Sequence, residues 1–203
     1  TPMKLTIQQL QRTKKIGSEG FDEYFEKSTV TLIEQIDNLS RIAGTFSNFA
    51  RIPEAHFTNV DVAAKLYSVV QLFKHNNEQV QISFEGESKG IIVLADPEQL
   101  TQVFNNLLKN AIQSITSDKA GLIKVRINKV DKEVVIEIED NGMGIADEFI
   151  DKLFTPNFTT KSTGMGLGLT ITKNIIEITG GTINFTTRKN EGTTFIISLP
   201  ADN

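Results

Sequence analysis

Asn106 and Asn110 stand four residues apart. In a helix that spacing puts both amides on one face. Asn disfavours a mid-helix position, so an aligned pair points to a polar task. One such task is oxygen ligation of Mg2+, an ion that takes oxygen ligands and keeps several waters. The other is a pair of solvated or capping amides. A second segment is Asp140, Asn141, Gly142, Met143 and Gly144. Asp140 is a candidate acceptor at the end of a strand, and the glycines let the backbone approach a ligand closely. The same Asp-Asn-Gly is also an ordinary turn. It does not match a calcium loop, which needs oxygen ligands at alternate positions and a later Glu.

A third segment holds Phe154 and Phe158 in a hydroxyl-rich stretch that ends at Lys161. It reads as a hinged loop with two apolar anchors, or as a plain surface loop whose Phe side chains face the core. The fourth holds Gly164, Gly166 and Gly168 in alternation, just before a helical pattern. Glycine-rich backbone at a helix N-terminus offers unpaired N–H groups and a positive dipole end, hence a phosphate site. The Gly-Lys-Ser/Thr of a P-loop is missing, and no strand immediately precedes the run, which counts against a dinucleotide fingerprint.

These segments need elements to hold them. Val103, Leu107 and Ile115, with Phe104, Leu108 and Ala111, form the buried side of a helix from Asp96 to about Ile115. Asp96 is its expected N-cap and Pro97 its first residue. Residues 60–75 read as another helix, 80–84 and 91–94 as short strands, and 122–129 with 133–139 as a strand pair. Residues 145–153 and 170–179 read as short helices, and 182–187 with 193–199 as a final hairpin. The implied fold is an α/β sandwich of one sheet with helices on one face.

Upstream the period changes. Thr29, Leu32, Ile36, Leu39, Ala43, Phe46 and Ala50 alternate spacings of three and four, an a/d seam. Ile33, Ile42 and Phe49 widen it, and Phe21 and Phe25 extend it. Met3, Ile7 and Leu10 mark a shorter amphipathic helix, with a break at residues 17–20. Two antiparallel helices cannot bury stripes this wide alone. Dimerisation into a four-helix bundle solves this; a hairpin packed on the second domain is the alternative. Pro53 suggests a boundary near Arg51–Pro53. The domains are then residues 1–53 and 58–203.

Composition narrows the chemistry. The 203 residues include no Cys and two His. That excludes a disulfide framework, thiolate zinc sites and a Cys nucleophile. The net charge of −4 argues against a nucleic-acid binder. Residues 1–57 hold seven basic and seven acidic side chains, so the imbalance sits wholly in the second part. No apolar run reaches membrane-span length and no signal-peptide pattern opens the chain, so a cytoplasmic protein is expected.

The order and spacing of the four segments resemble the nucleotide-binding boxes of the sensor histidine kinase catalytic domain. That domain belongs to the gyrase, heat-shock-90, histidine-kinase and MutL ATP-binding superfamily. The resemblance spans residues 58–203, and Phe158, Thr159, Thr160 and Lys161 look most like the nitrogen-regulation branch. It implies an α+β Bergerat-type fold after a dimerisation and phosphoacceptor hairpin. By resemblance, Asn110 ligates Mg2+ and Asn106 supports the phosphate side of an ATP site. Asp140 accepts from the adenine amino group, beside a wall of Gly142 and Gly144. Phe154 and Phe158 anchor a lid, and Lys161 contacts phosphate. Gly164, Gly166 and Gly168 cradle the phosphates.

Two positions depart from the family pattern. Gln113 stands where a basic residue is common, leaving phosphate neutralisation to Lys109 or Lys161. Asn157 stands where an aromatic is common. The implied activity is transfer of the ATP γ-phosphoryl group to a histidine and then to a response-regulator aspartate, with a homodimer formed through the N-terminal helices. Neither His56 nor His75 has the phosphoacceptor motif around it. The expectation is therefore a fragment beginning just after that motif, unable to autophosphorylate, from a parent whose membrane anchor, if any, lies outside it. A serine kinase of anti-sigma type and a nucleotide-binding pseudokinase dimer are the alternatives.

Overall fold

The computed structural model describes residues 2–16, 21–50, 55–77, 79–116, 119–156, 158–159 and 166–202. At 2–4, 13–16 and 37–50 it describes backbone only. Two compact units divide the chain, Thr1–Ile52 and Pro53–Asn203. The boundary expected near Arg51–Pro53 lies outside the described residues.

In the first unit, α1 (Pro2–Ile16) is tied to α2 (Phe21–Ala50) by the Tyr24 hydroxyl, which donates to Gln9 Oε1 at 3.2 Å. Asp22 and Glu23 in the first turn of α2 suit the positive end of its dipole. Leu5, Ile7, Phe25, Val30, Ile33 and Ile36 are exposed. The upper seam, with Ile42 and Phe49, and Met3 lie outside the described side chains.

The second unit is built on a five-stranded mixed sheet. Its strands are β2 (Val80–Gly86), β4 (Gly121–Val130), β5 (Glu133–Asp140), β6 (Thr182–Arg188) and β7 (Gly192–Pro200), in the order β2-β4-β5-β7-β6. Only β2 and β4 run parallel. Period-2 alternation sets its faces. Val134, Ile136 and Ile138 of β5 point into the core with Ile123, Val125 and Ile127 of β4 and Phe195, Ile197 and Leu199 of β7. Helices α3 (Val62–Asn76), α4 (Pro97–Ser114) and α5 (Gly168–Ile178) pack on the sheet. On the other face Arg126 pairs with Glu139 at 2.6 Å, Glu137 at 3.0 Å and Glu85 at 3.4 Å. These partly exposed pairs contribute little stability each.

The structure corrects the single-sheet expectation. The strand expected at 91–94 is β3 (Ile92–Ala95), and it pairs antiparallel with β1 (Thr58–Asp61) in a separate two-stranded sheet. β1 is short and polar, and its last residue caps the next helix. Asp61 accepts from Ala64 N at 3.0 Å and Gly90 N at 2.7 Å, so α3 begins at Val62 rather than Val60. Residues 145–153 form a short 3-10 helix only over Asp147–Lys152.

Helix α4 is the element that positions most of the site. Asp96 Oδ1 accepts from Glu98 N at 2.8 Å and Gln99 N at 3.0 Å, and Pro97 follows it. Asp96 Oδ2 accepts from His56 N at 2.8 Å. Burial pushes the Asp96 carboxyl up, but the N–H groups of Gln99, His56 and Glu98 together outweigh it and hold it below the ordinary range. This contribution to stability is present at neutral pH and is lost as pH falls through that lowered value. Leu100, Val103, Phe104, Leu107, Leu108 and Ala111 make the buried stripe, spaced at helical period. That stripe fixes the rotation of α4 and leaves Asn106 and Asn110 half-buried on another face.

Candidate functional site

Asp140 ends β5 and is buried. The β5–β7 register sets it beside Thr193, and the β4–β5 register beside Ile123. Its Oδ1 accepts from the Ser114 hydroxyl at 2.8 Å and from Gly142 N at 2.8 Å. Burial is the largest influence on its carboxyl and lifts it above the usual carboxylate range. The Ser114 hydroxyl, the N–H groups of Gly142 and Thr193, and the Lys119 charge act against that rise. A buried carboxylate of this kind is a strong acceptor for a ligand donor.

The loop after Asp140 is clamped from three sides. Met143 N donates to Ser114 O at 2.9 Å, and Asn190 N to Met143 O at 2.7 Å. Lys119 Nζ reaches Gly142 O at 3.1 Å and Asn190 O at 3.4 Å. Asn141 bonds Ala120 O and Leu122 N through its side chain. Gly142 is required by space: a Cβ there would stand 2.6 Å from Ser114 Cβ and 2.7 Å from Asp140 Oδ1. Gly144 has φ +65, and a Cβ would stand 2.1 Å from Arg188 O. Both glycines therefore let backbone lie where a side chain cannot.

Two turns back along α4, Asn106 Nδ2 donates to Gly168 O at 3.3 Å. Gly168 is the first residue of α5, whose N-terminus has no side-chain cap. The early N–H groups of such a helix need an external acceptor. Asn110 lies between Asn106 and Ser114, one turn from Asn106 and half-buried on the same face. Among the described residues no group of three or more His, Cys, Asp or Glu could hold a metal. A cation here would rest on an amide oxygen together with ligand oxygens and water, which suits Mg2+ rather than zinc.

Phe154 meets Phe185 edge-on at 5.9 Å, with Lys173 Nζ 5.5 Å from its ring centre. Its carbonyl accepts from the Thr170 hydroxyl at 3.1 Å. Phe158 packs on Phe149 at 5.4 Å. The two aromatic positions thus anchor separate points of this stretch. Gly166 has φ +67. Lys161 and Gly164 lie outside the described residues, as does Asn157. Sequence reasoning passed over Ser114 and Lys119. Ser114 was findable, since it sits four residues after Asn110 and so continues the same face. Lys119 is in a loop with no periodic signal.

Several known proteins resemble this chain. Residues 95–203 match the family described as histidine kinase-, DNA gyrase B-, and HSP90-like ATPase. Sensor histidine kinase ZraS of Escherichia coli K12 is 34% identical over 84% of this chain and 37% of its own length. Nitrogen regulation protein NtrY of Azorhizobium caulinodans is 32% identical over 90% of this chain and 24% of its own. The chain therefore spans well under half the length of these relatives. The catalytic domain of histidine kinase ThkA superposes with a TM-score of 0.64 at 33% identity, covering 71% of this chain and 95% of that one. Histidine kinase ThkA in complex with response regulator protein TrrA shares the fold over all of this chain and 58% of that one, at 24% identity and TM-score 0.71. No helix among the described residues is long and apolar enough to cross a membrane.

Proposed function

Since this chain belongs to the histidine kinase-, DNA gyrase B- and HSP90-like ATPase family, with a catalytic domain of the sensor histidine kinase type, we propose that ATP lies along α4. Adenine meets Asp140 and the phosphates meet the glycine run. One observation carries this reading: α4 touches both ends of the site. Ser114 holds the Asp140 carboxylate, and Asn106 holds the first residue of α5. These two positions are eight residues apart, about 12 Å along a helix axis, the reach of an extended nucleoside triphosphate.

Asp140 accepts from the adenine amino group, beside Gly142 and Gly144. Gly164, Gly166 and Gly168 offer backbone N–H groups to phosphate, and Lys161 adds a positive charge. Phe154 and Phe158 pin the lid at its N-terminal side. Asn106 holds the phosphate end in place, and Asn110 supplies an amide oxygen to Mg2+. When bound, that ion neutralises phosphate charge during transfer. The residues of the chain position and solvate the nucleotide, which is most of the catalysis in phosphoryl transfer.

Transfer of the γ-phosphoryl group to a histidine, and then to an aspartate of a response-regulator receiver domain, is the activity proposed for the whole protein. Histidine kinase ThkA, which shares this fold, is known in complex with a response regulator. Calorimetric titration tests the binding. Asn110→Ala should weaken ATP binding in Mg2+ about tenfold or more, while ATP binding in EDTA changes little. Equal losses in both conditions would refute the Mg2+ role.

The exposed apolar side chains of α1 and α2 support a homodimer through these helices in a four-helix bundle. Residues 1–57 alone should sediment as a dimer or larger. A monomer at high concentration would count against the bundle.

A further inference from the structure

Ser114 closes α4 where three parts of the site converge. Its hydroxyl lies 2.8 Å from Asp140 Oδ1 and 2.7 Å from the Ala111 carbonyl. A serine hydroxyl has one proton, so it serves one acceptor at a time. Its carbonyl takes the Met143 N–H at 2.9 Å. A Cβ on Gly142 would collide with it. The same residue therefore fixes the carboxylate, the loop that follows, and the end of α4.

Ser114 and Gly142 both donate to Oδ1. A carboxylate offers about four lone-pair sites over its two oxygens. With the Ser114 proton turned to Oδ1, that oxygen holds two donors and the group is held against rotation, while the Thr193 N–H also acts on the carboxyl. Among the described residues, the charged side chain acting on Asp140 is Lys119; Ser114 on α4, Ile123 on β4 and Thr193 on β7 do not titrate. A hydroxyl donating to the ionised form favours that form.

We propose that Ser114 is the positioning residue of purine recognition, keeping Asp140 in its acceptor form and aiming Oδ2 at the exocyclic amino group. This rests on the nucleotide reading of the site. The hydroxyl matters because burial alone drives Asp140 toward its protonated form, which presents a donor and loses an acceptor.

The test is calorimetric titration of the full chain with ADP from pH 5 to 8, for the wild type, Ser114→Ala, Ser114→Thr and Asp140→Asn. Ser114→Ala should bind ADP about tenfold more weakly at neutral pH. The acid limb, where binding is lost as Asp140 protonates, should move to higher pH. Ser114→Thr restores the hydroxyl and should return the limb toward its wild-type position. A purely structural role for Ser114 would lower affinity by the same factor at every pH, and that flat ratio would overturn the proposal. If Asp140→Asn loses ADP while Ser114→Ala keeps the wild-type limb, this inference fails alone. If Asp140→Asn binds ADP like the wild type, the nucleotide reading fails with it.

Discussion

Asp140→Asn is expected to cut affinity for adenine nucleotides at least 100-fold while leaving the fold intact. The substitution keeps the shape of the side chain. Oδ1 accepts from both Ser114 and Gly142, so the new amide must place its oxygen there. Its NH2 then takes the Oδ2 position and faces the adenine amino group, donor against donor. A charge-assisted hydrogen bond is lost and an unpaired donor is buried, together about 3 kcal/mol or more. A nucleotide with a carbonyl at the same ring position, such as inosine diphosphate, should regain affinity relative to ADP. Calorimetry with both ligands reads the result, and unchanged ADP affinity would sink the assignment of Asp140.

Stability should move the other way. The folded-state pKa of Asp140 is raised by burial. For a carboxyl raised in this way, the ionised form costs stability, and that cost builds as pH rises from the ordinary carboxylate range to the raised value and is complete above it. Asn carries no charge, so the thermal midpoint of the variant at neutral pH should equal or exceed that of the wild type. Loss of binding without loss of stability separates a ligand role from a structural one.

Gly192→Ala should instead unfold the second unit more easily, by about 3 kcal/mol. Gly192 opens β7 with φ +130, a region that L side chains rarely adopt. A Cβ there would stand 1.9 Å from the Asp140 carbonyl oxygen and 2.9 Å from Asn141 Cα. Both are backbone atoms, so no side chain can swing away. Relief requires β5 and β7 to part at the residue whose side chain forms the site. Nucleotide binding should therefore fall with stability, unlike in Asp140→Asn. Gly90 provides the control. It has φ +93 with nothing near its missing Cβ, so Gly90→Ala carries only the backbone cost of about 1 kcal/mol. Urea unfolding followed by circular dichroism compares the two; equal midpoints would contradict the steric argument.

Legibility in the sequence followed the range of the signal. Helix α4 was readable with its cap, its first residue and its buried stripe, because all are set by spacings of one to four residues. The two β-hairpins were readable from period-2 alternation. The small sheet of β1 and β3 was not. β1 is four residues of mixed polarity, and its pairing with β3 spans more than thirty positions of chain. The separation of β3 from the main sheet depends on which edge it meets, and no local pattern carries that.

The amino-acid sequence by itself determined the inventory: an aligned Asn pair, an Asp before a glycine turn, two Phe anchors and a glycine run opening a helix. Local periodicity and backbone preference are enough for that, and the order of these parts pointed to the family. Tertiary structure decided how the parts meet. It put Ser114 on Asp140, Asn106 on Gly168, Lys119 across Gly142 and Asn190, and Gly192 under the Asp140 carbonyl. These contacts join residues 23 to 71 positions apart. They arise from strand register and from the rotation of α4 on the sheet, both set by burial of the whole core at once.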